Sequence, residues 1–85
     1  SVRTSLGYKD QRELESLPKK INELSKTLTR LEEKLADSRY YTDDPAAFEK
    51  ATRDLLEAQA RLLKKETRWL QLEEKNEKLQ TKRSN

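Results

Sequence analysis

The chain has 85 residues, 41% of them charged and 32% hydrophobic, with 19 Lys and Arg against 16 Asp and Glu for a formal net charge of +3. It holds no His, no Cys and a single Gly, which excludes a thiol nucleophile, an imidazole base, thiolate or imidazole metal sites, and the two-glycine phosphate loop GxxxxGK followed by Ser or Thr. So small and polar a chain cannot build a thick core, but it suits a long helical pair surrounded by solvent, and its mild basic excess permits an anionic partner without demanding one.

No apolar run approaches the roughly 18 residues of a membrane span, and no charged-then-apolar leader is present, so a cytoplasmic location without membrane contact is expected. The chain starts at Ser1 and contains no Met, and the expectation is a piece of a larger protein. Residues 1–7 mix Ser, Thr and Gly without a period and read as the end of a linker.

The helical signal begins at Tyr8. Leu14, Leu17, Ile21, Leu24, Leu28, Leu31 and Leu35 stand at spacings of 3, 4, 3, 4, 3 and 4, an apolar seam of 3.5-residue period that has to be buried against another helix. Pro18 interrupts this arm by removing a backbone donor and crowding the preceding turn, so a kink or short break is expected near it. The seam keeps its phase across the proline. The first arm is predicted over residues 9–36.

The segment ADSRYYTDDP gathers turn formers, two aromatics and a proline, and the connection is placed at 37–44. Asp44 before Pro45 is a helix start, since a carboxylate caps free amides and proline is tolerated at the first helical position. Tyr40 and Tyr41 beside Arg39 have two readings: packing over the end of the helical pair, or stacking on exposed bases. Asp43 and Asp44 read as caps, since no pocket surrounds them for acid–base work.

From Pro45 no Gly or Pro interrupts a sequence rich in Ala, Leu, Glu, Lys and Arg, and the second arm is predicted over 45–80, roughly 50 Å at 1.5 Å per residue. Phe48, Ala51, Leu55, Ala58, Leu62, Lys65, Trp69, Leu72, Asn76 and Leu79 repeat the seam spacing with two polar interruptions. A short connection makes the two arms antiparallel neighbours. The expected fold is therefore all-α, a two-helix antiparallel coiled-coil hairpin spanning 8–80, with a frayed basic tail over 81–85. Leu28 is expected near Leu55 or Ala58, and Leu14 and Leu17 near Trp69, whose indole has two readings, an ordinary core residue filling the Pro18 kink or a stacking platform for a base. Leu56, Leu63 and Leu70 form an additional stripe that could wrap the first arm, mediate self-association or meet another domain.

Basic residues are the only candidate functional chemistry. Pairing of the arms puts Lys19 and Lys20 at the level of Arg61, Lys64, Lys65 and Arg68. Like charges gathered from two helices repel, which leaves two readings: a phosphate-binding cluster, or solvated flanks neutralised by Glu15, Glu23 and Glu66. Lys65 occupies a seam position, where it sets register unless its stem is buried and its ammonium reaches water. Lys75 and Lys78 lie among Glu73, Glu74 and Glu77 and read as intrahelical pairing, whereas Lys82 and Arg83 are free of acids. No catalytic, cofactor or metal residue is proposed.

Three blocks, YKDQRELESLP, LADSRYYTDDP and TRWLQLE, occur in an order and separation that resemble the C-terminal coiled-coil domain of the ABC-F family of ATPases, most closely the Uup type. The resemblance covers roughly residues 6–73. Gly7 stands where Ser is frequent and Ser38 where Pro is common. The resemblance implies a helical hairpin that follows two ATP-binding cassettes, with DNA binding assigned to this domain in Uup-type members while the family more broadly acts at the ribosome. The expected function is non-catalytic binding of DNA, structured or branched forms included, or of ribosomal RNA. The alternative is a structural arm that positions the parent ATPase on the ribosome or another partner. Carried onto this chain, the resemblance brings no ATPase residue and no residue-by-residue DNA motif, though Lys9, Arg12 and Arg68 fall inside the matching blocks. The isolated domain is expected to be monomeric.

Overall fold

The computed structural model describes the backbone of residues 5–84 and the side chains of residues 5–81. Every described element is helical: α1 is Tyr8–Ala36, α2 is Ser38–Asp43 and α3 is Pro45–Ser84. The two long helices pack along each other in an elongated envelope of 64 × 18 × 15 Å.

The boundaries follow from local chemistry. α1 opens after Gly7, whose extended backbone leaves its carbonyl to accept from the Gln11 amide at 2.9 Å. Asp10 in the first turn and Lys34 in the last complement the helix dipole. Asp37 ends α1 with extended dihedrals of −75° and 112° and at once begins α2, its carboxylate accepting from the Arg39 amide at 3.0 Å. Asp44 does the same for α3. Held out of the helical region by the following proline, it accepts at Oδ1 from the Ala47 amide at 3.1 Å. The connection expected from turn formers is thus a one-and-a-half-turn helix between two aspartate caps.

Seam positions on both long helices are all buried or half-buried. The core cluster consists of Leu6, Leu14, Leu17 and Leu72, with Ile21, Trp69 and Leu79 packed against it. Leu28, Ala51 and Ala58 are buried farther along. Leu6 corrects the reading of residues 1–7 as linker, because it is core; residues 1–4 lie outside the described residues. Its place in the pattern is hidden by Asp10, which occupies the seam position between Leu6 and Leu14.

α1 runs through Pro18 without a break. The proline is exposed, on the flank of the seam, so its ring meets solvent instead of the partner helix, while Leu14 and Leu17 before it lie in the core cluster and Ile21 after it packs against that cluster. α3 extends past the predicted end at 80 to Ser84. The Leu56, Leu63 and Leu70 stripe does not wrap α1: these residues are 60%, 66% and 59% exposed.

At the α2 end the aromatics pack. The Tyr40 hydroxyl donates to the Ala47 carbonyl at 3.1 Å, and both tyrosine rings meet Phe48 edge-on, at 5.9 Å for Tyr40 and 5.2 Å for Tyr41. The Lys34 ammonium lies 5.2 Å from the centre of the Tyr40 ring. Phe48 and Lys34 thus engage the Tyr40 ring, which supports packing over the tip for that residue, while Tyr41 touches Phe48 but stays 59% exposed.

Candidate nucleic-acid interface

The cations of this domain divide into those held by carboxylates and those that are not. Arg68 belongs to the first group. Its Nε and Nη2 donate to the two oxygens of Glu13 at 3.0 and 2.9 Å, and Nη2 also reaches Asp10 at 3.2 Å. The second Asp10 oxygen accepts from Lys75 at 2.8 Å. Lys75, expected to pair within its own helix, thus bridges to α1; Lys78 does pair locally, with Glu74 at 3.7 Å.

This two-carboxylate, two-cation cluster sits beside the core and shifts its own titration. The Lys75 hydrogen bond, aided by the charges of Lys75, Arg68 and Lys9, holds the Asp10 carboxyl below its ordinary value despite partial desolvation. The Arg68 hydrogen bond and charge do the same to Glu13, and the return interaction with Glu13 and Asp10 raises Arg68. All three groups stay charged near neutrality.

The Glu13–Arg68 contact also fixes the register of one edge of the helical pair. One heptad away on the same flanks, the corresponding sequence positions hold cations on both helices, Lys20 on α1 and Arg61 on α3. A further heptad brings Thr27 to Asp54, and both line a groove with Leu24, Leu31, Ala58 and Arg61. Arg61 therefore faces the α1 side along this edge. Lys20, Arg61, Lys19 and Lys64 are exposed, and among the described residues none of them makes an ion pair. Glu15, Glu23 and Glu66, which one of the two readings has neutralising the cluster, make no ion pair with it among the described residues; Glu15 accepts from Gln11 at 3.0 Å.

Arg61, Lys64 and Arg68 line one open depression on α3 with Ala60, Leu63 and Thr67. Lys65 is half-buried at its seam position and makes no ion pair, yet no buried side-chain nitrogen or oxygen among the described residues lacks a partner. Its stem is thus packed while its ammonium meets water. Lys82 and Arg83 fall in the α3 span, but their side chains lie outside the described residues. Arg12 is engaged by Tyr8, donating to its hydroxyl at 3.1 Å with the guanidinium 5.7 Å from the ring centre. Lys9 is exposed.

The predicted cluster therefore separates. Lys20 and Arg61 are exposed and have no carboxylate partner among the described residues, Lys64 lines the same depression as Arg61, and Arg68 is committed to acids. Sequence reasoning passed over Asp10, although an acid at a seam position beside Glu13 three residues later is a signal for cations on the facing helix. Among the described residues no helix is long and apolar enough to cross a membrane.

Comparison with known proteins assigns the family. Residues 5–74 match the family described as ABC transporter C-terminal domain. The ATP-binding protein Uup-like of Haemophilus influenzae is 36% identical over 70 residues, covering 82% of this chain and 15% of that protein. The ATP-binding protein Uup of the same organism is also 36% identical over 70 residues, covering 82% of this chain and 11% of its own length. The chain thus spans a small fraction of the curated relatives it matches. No solved structure matches it significantly. With three sequence blocks, a helical fold and both relatives in agreement, the chain belongs to the ABC transporter C-terminal domain family, as the C-terminal domain of a Uup-type ABC-F protein.

Proposed function

We propose that the domain is a non-catalytic nucleic-acid-binding module: an antiparallel coiled-coil hairpin that holds DNA by its phosphates, without sequence readout, at the end of a parent ATPase whose active sites lie in its ATP-binding cassettes. The observation that carries this reading is that Lys19, Lys20, Arg61 and Lys64 are exposed and make no ion pair among the described residues. Cations left without carboxylate partners on one helical pair repel one another and favour an arriving anion, whereas Arg68 is neutralised within the domain by Glu13. Lys19, Lys64 and Lys65 extend the positive surface. Phosphate contacts of this kind position a duplex and carry no base information.

Anisotropy titration of labelled duplex DNA over a salt series tests the proposal. Five free cations, Lys19, Lys20, Arg61, Lys64 and Lys65, predict a slope of log affinity against log salt of roughly −4 to −5, at about −0.9 per neutralised phosphate. Lys20→Ala with Arg61→Ala lowers that slope by about 2, whereas Arg68→Ala leaves it unchanged. Absence of binding at low salt, or binding indifferent to salt and to Lys20 and Arg61, refutes the phosphate model in favour of an arm that positions the parent protein through protein contacts.

A further inference from the structure

α3 carries a second seam. Leu56, Ala60, Leu63, Thr67 and Leu70 follow one another at spacings of 4, 3, 4 and 3, the same period that pairs α3 with α1, but on the side turned away from it. Three of the five are leucines, and all but Thr67 are apolar; every one is exposed, and nothing among the described residues covers them. Scattered exposed leucines need no explanation, whereas leucines in heptad register on one helix face specify another helix.

The residues flanking this seam select the occupant. Glu57 and Lys64 run along one edge, and Gln59 and Glu66 along the other. When a second copy of α3 lies antiparallel with Ala60 of each chain against Leu63 of the other, Glu57 faces Lys64 and Gln59 faces Glu66, each twice about the dyad. The layers then alternate large with small, Leu63 on Ala60 and Leu56 on Thr67, so the backbones can approach closely. Displacement by one heptad sets Lys64 against Lys64 and Glu66 against Glu66, which the charges disfavour. We propose that this face is the interface of an antiparallel homodimer with α3 against α3 at its centre and the two α1 helices outermost. A seam of five residues buries well below the ~800 Å² per partner of a standard stable interface, so association is reversible and dependent on concentration.

The absence of Cys from the chain allows a clean test. Equilibrium sedimentation of the wild-type chain shows mass rising with concentration, while Leu63→Gln, altered only at the surface, keeps its helical circular dichroism and stays at monomer mass. Lys64→Glu weakens association at least tenfold, and the swap Glu57→Lys with Lys64→Glu restores it. Under mild oxidation a mixture of Ala60→Cys and Leu63→Cys chains forms the mixed disulfide faster than either variant links to itself. Monomer mass at roughly millimolar concentration overturns the proposal, as do faster self-linked disulfides or a charge swap that fails to rescue.

Discussion

Replacing Leu72 and Leu70 by Ala, one at a time, applies the same chemical change two residues apart on one helix. Leu72 is 1% exposed, among Leu6, Leu14 and Leu17, whereas Leu70 is 59% exposed. Helix propensity shifts equally in both, so their difference isolates burial. Losing a fully buried Leu side chain forfeits about 1.5–3 kcal/mol of transfer free energy, and the cavity left in a cluster this small brings the cost to about 2–5 kcal/mol. Domains of this size hold roughly 4–13 kcal/mol in total, so Leu72→Ala removes a large share. At roughly 4–8 °C per kcal/mol, a loss near 3 kcal/mol lowers the midpoint by about 12–24 °C. Leu70→Ala stays within about 0.5 kcal/mol of wild type. Thermal and urea unfolding followed by far-UV circular dichroism, at low micromolar protein where the second seam is empty, reads both. Equal losses in the two variants, or a Leu72→Ala cost below about 1 kcal/mol, would show that the cluster is not the core.

Three further outcomes follow. Asp10 and Glu13 are held below their ordinary values in the folded chain, so their contribution is present above about pH 4–4.5 and is lost as pH falls through the depressed values; acid titration of stability should be shallower in Arg68→Ala, and superimposable acid limbs would deny the linkage. Asp44→Ala removes the cap on the Ala47 amide and should cost about 1 kcal/mol by urea unfolding, with Asp44→Asn recovering most of it. Pro18→Ala returns a backbone donor to an uninterrupted helix and relieves the ring's crowding, so the thermal midpoint should rise; a fall would mean that the proline shapes the seam around Trp69.

The seam was legible because a 3.5-residue period belongs to the sequence itself, and each of its positions proves buried or half-buried. The caps were legible at Asp44, where carboxylate and proline act over three residues. Leu6 was not, since Asp10 breaks the apolar phase between it and Leu14, and an acid at a seam position explains itself only once Arg68 and Lys75 are seen arriving from the facing helix. For the same reason Arg68 could not be told from Arg61 by residue type. One meets Glu13 across the seam and the other has no acid within reach among the described residues, a distinction decided by residues far away in the sequence. The short helix α2 was hidden because six residues between two aspartates carry turn chemistry and helix chemistry alike.

The cheapest contacts to form and the most valuable ones lie at opposite ends of this 64 Å body. Tyr40 reaches Ala47 across seven residues, while Asp10 reaches Lys75 across sixty-five. Closure of the chain is therefore easiest at α2 and advances past Leu28, Ala51 and Ala58 before it reaches the larger cluster of Leu14, Leu17 and Leu72 and the ion pairs. A zipper whose last teeth grip hardest has no comfortable halfway state: a partly closed chain has accepted the ordering entropy without the burial that offsets it. Such an arrangement makes a slender two-helix body open and close as one unit, and it makes any partner that loosens the Arg68 end act on the stability of the whole length.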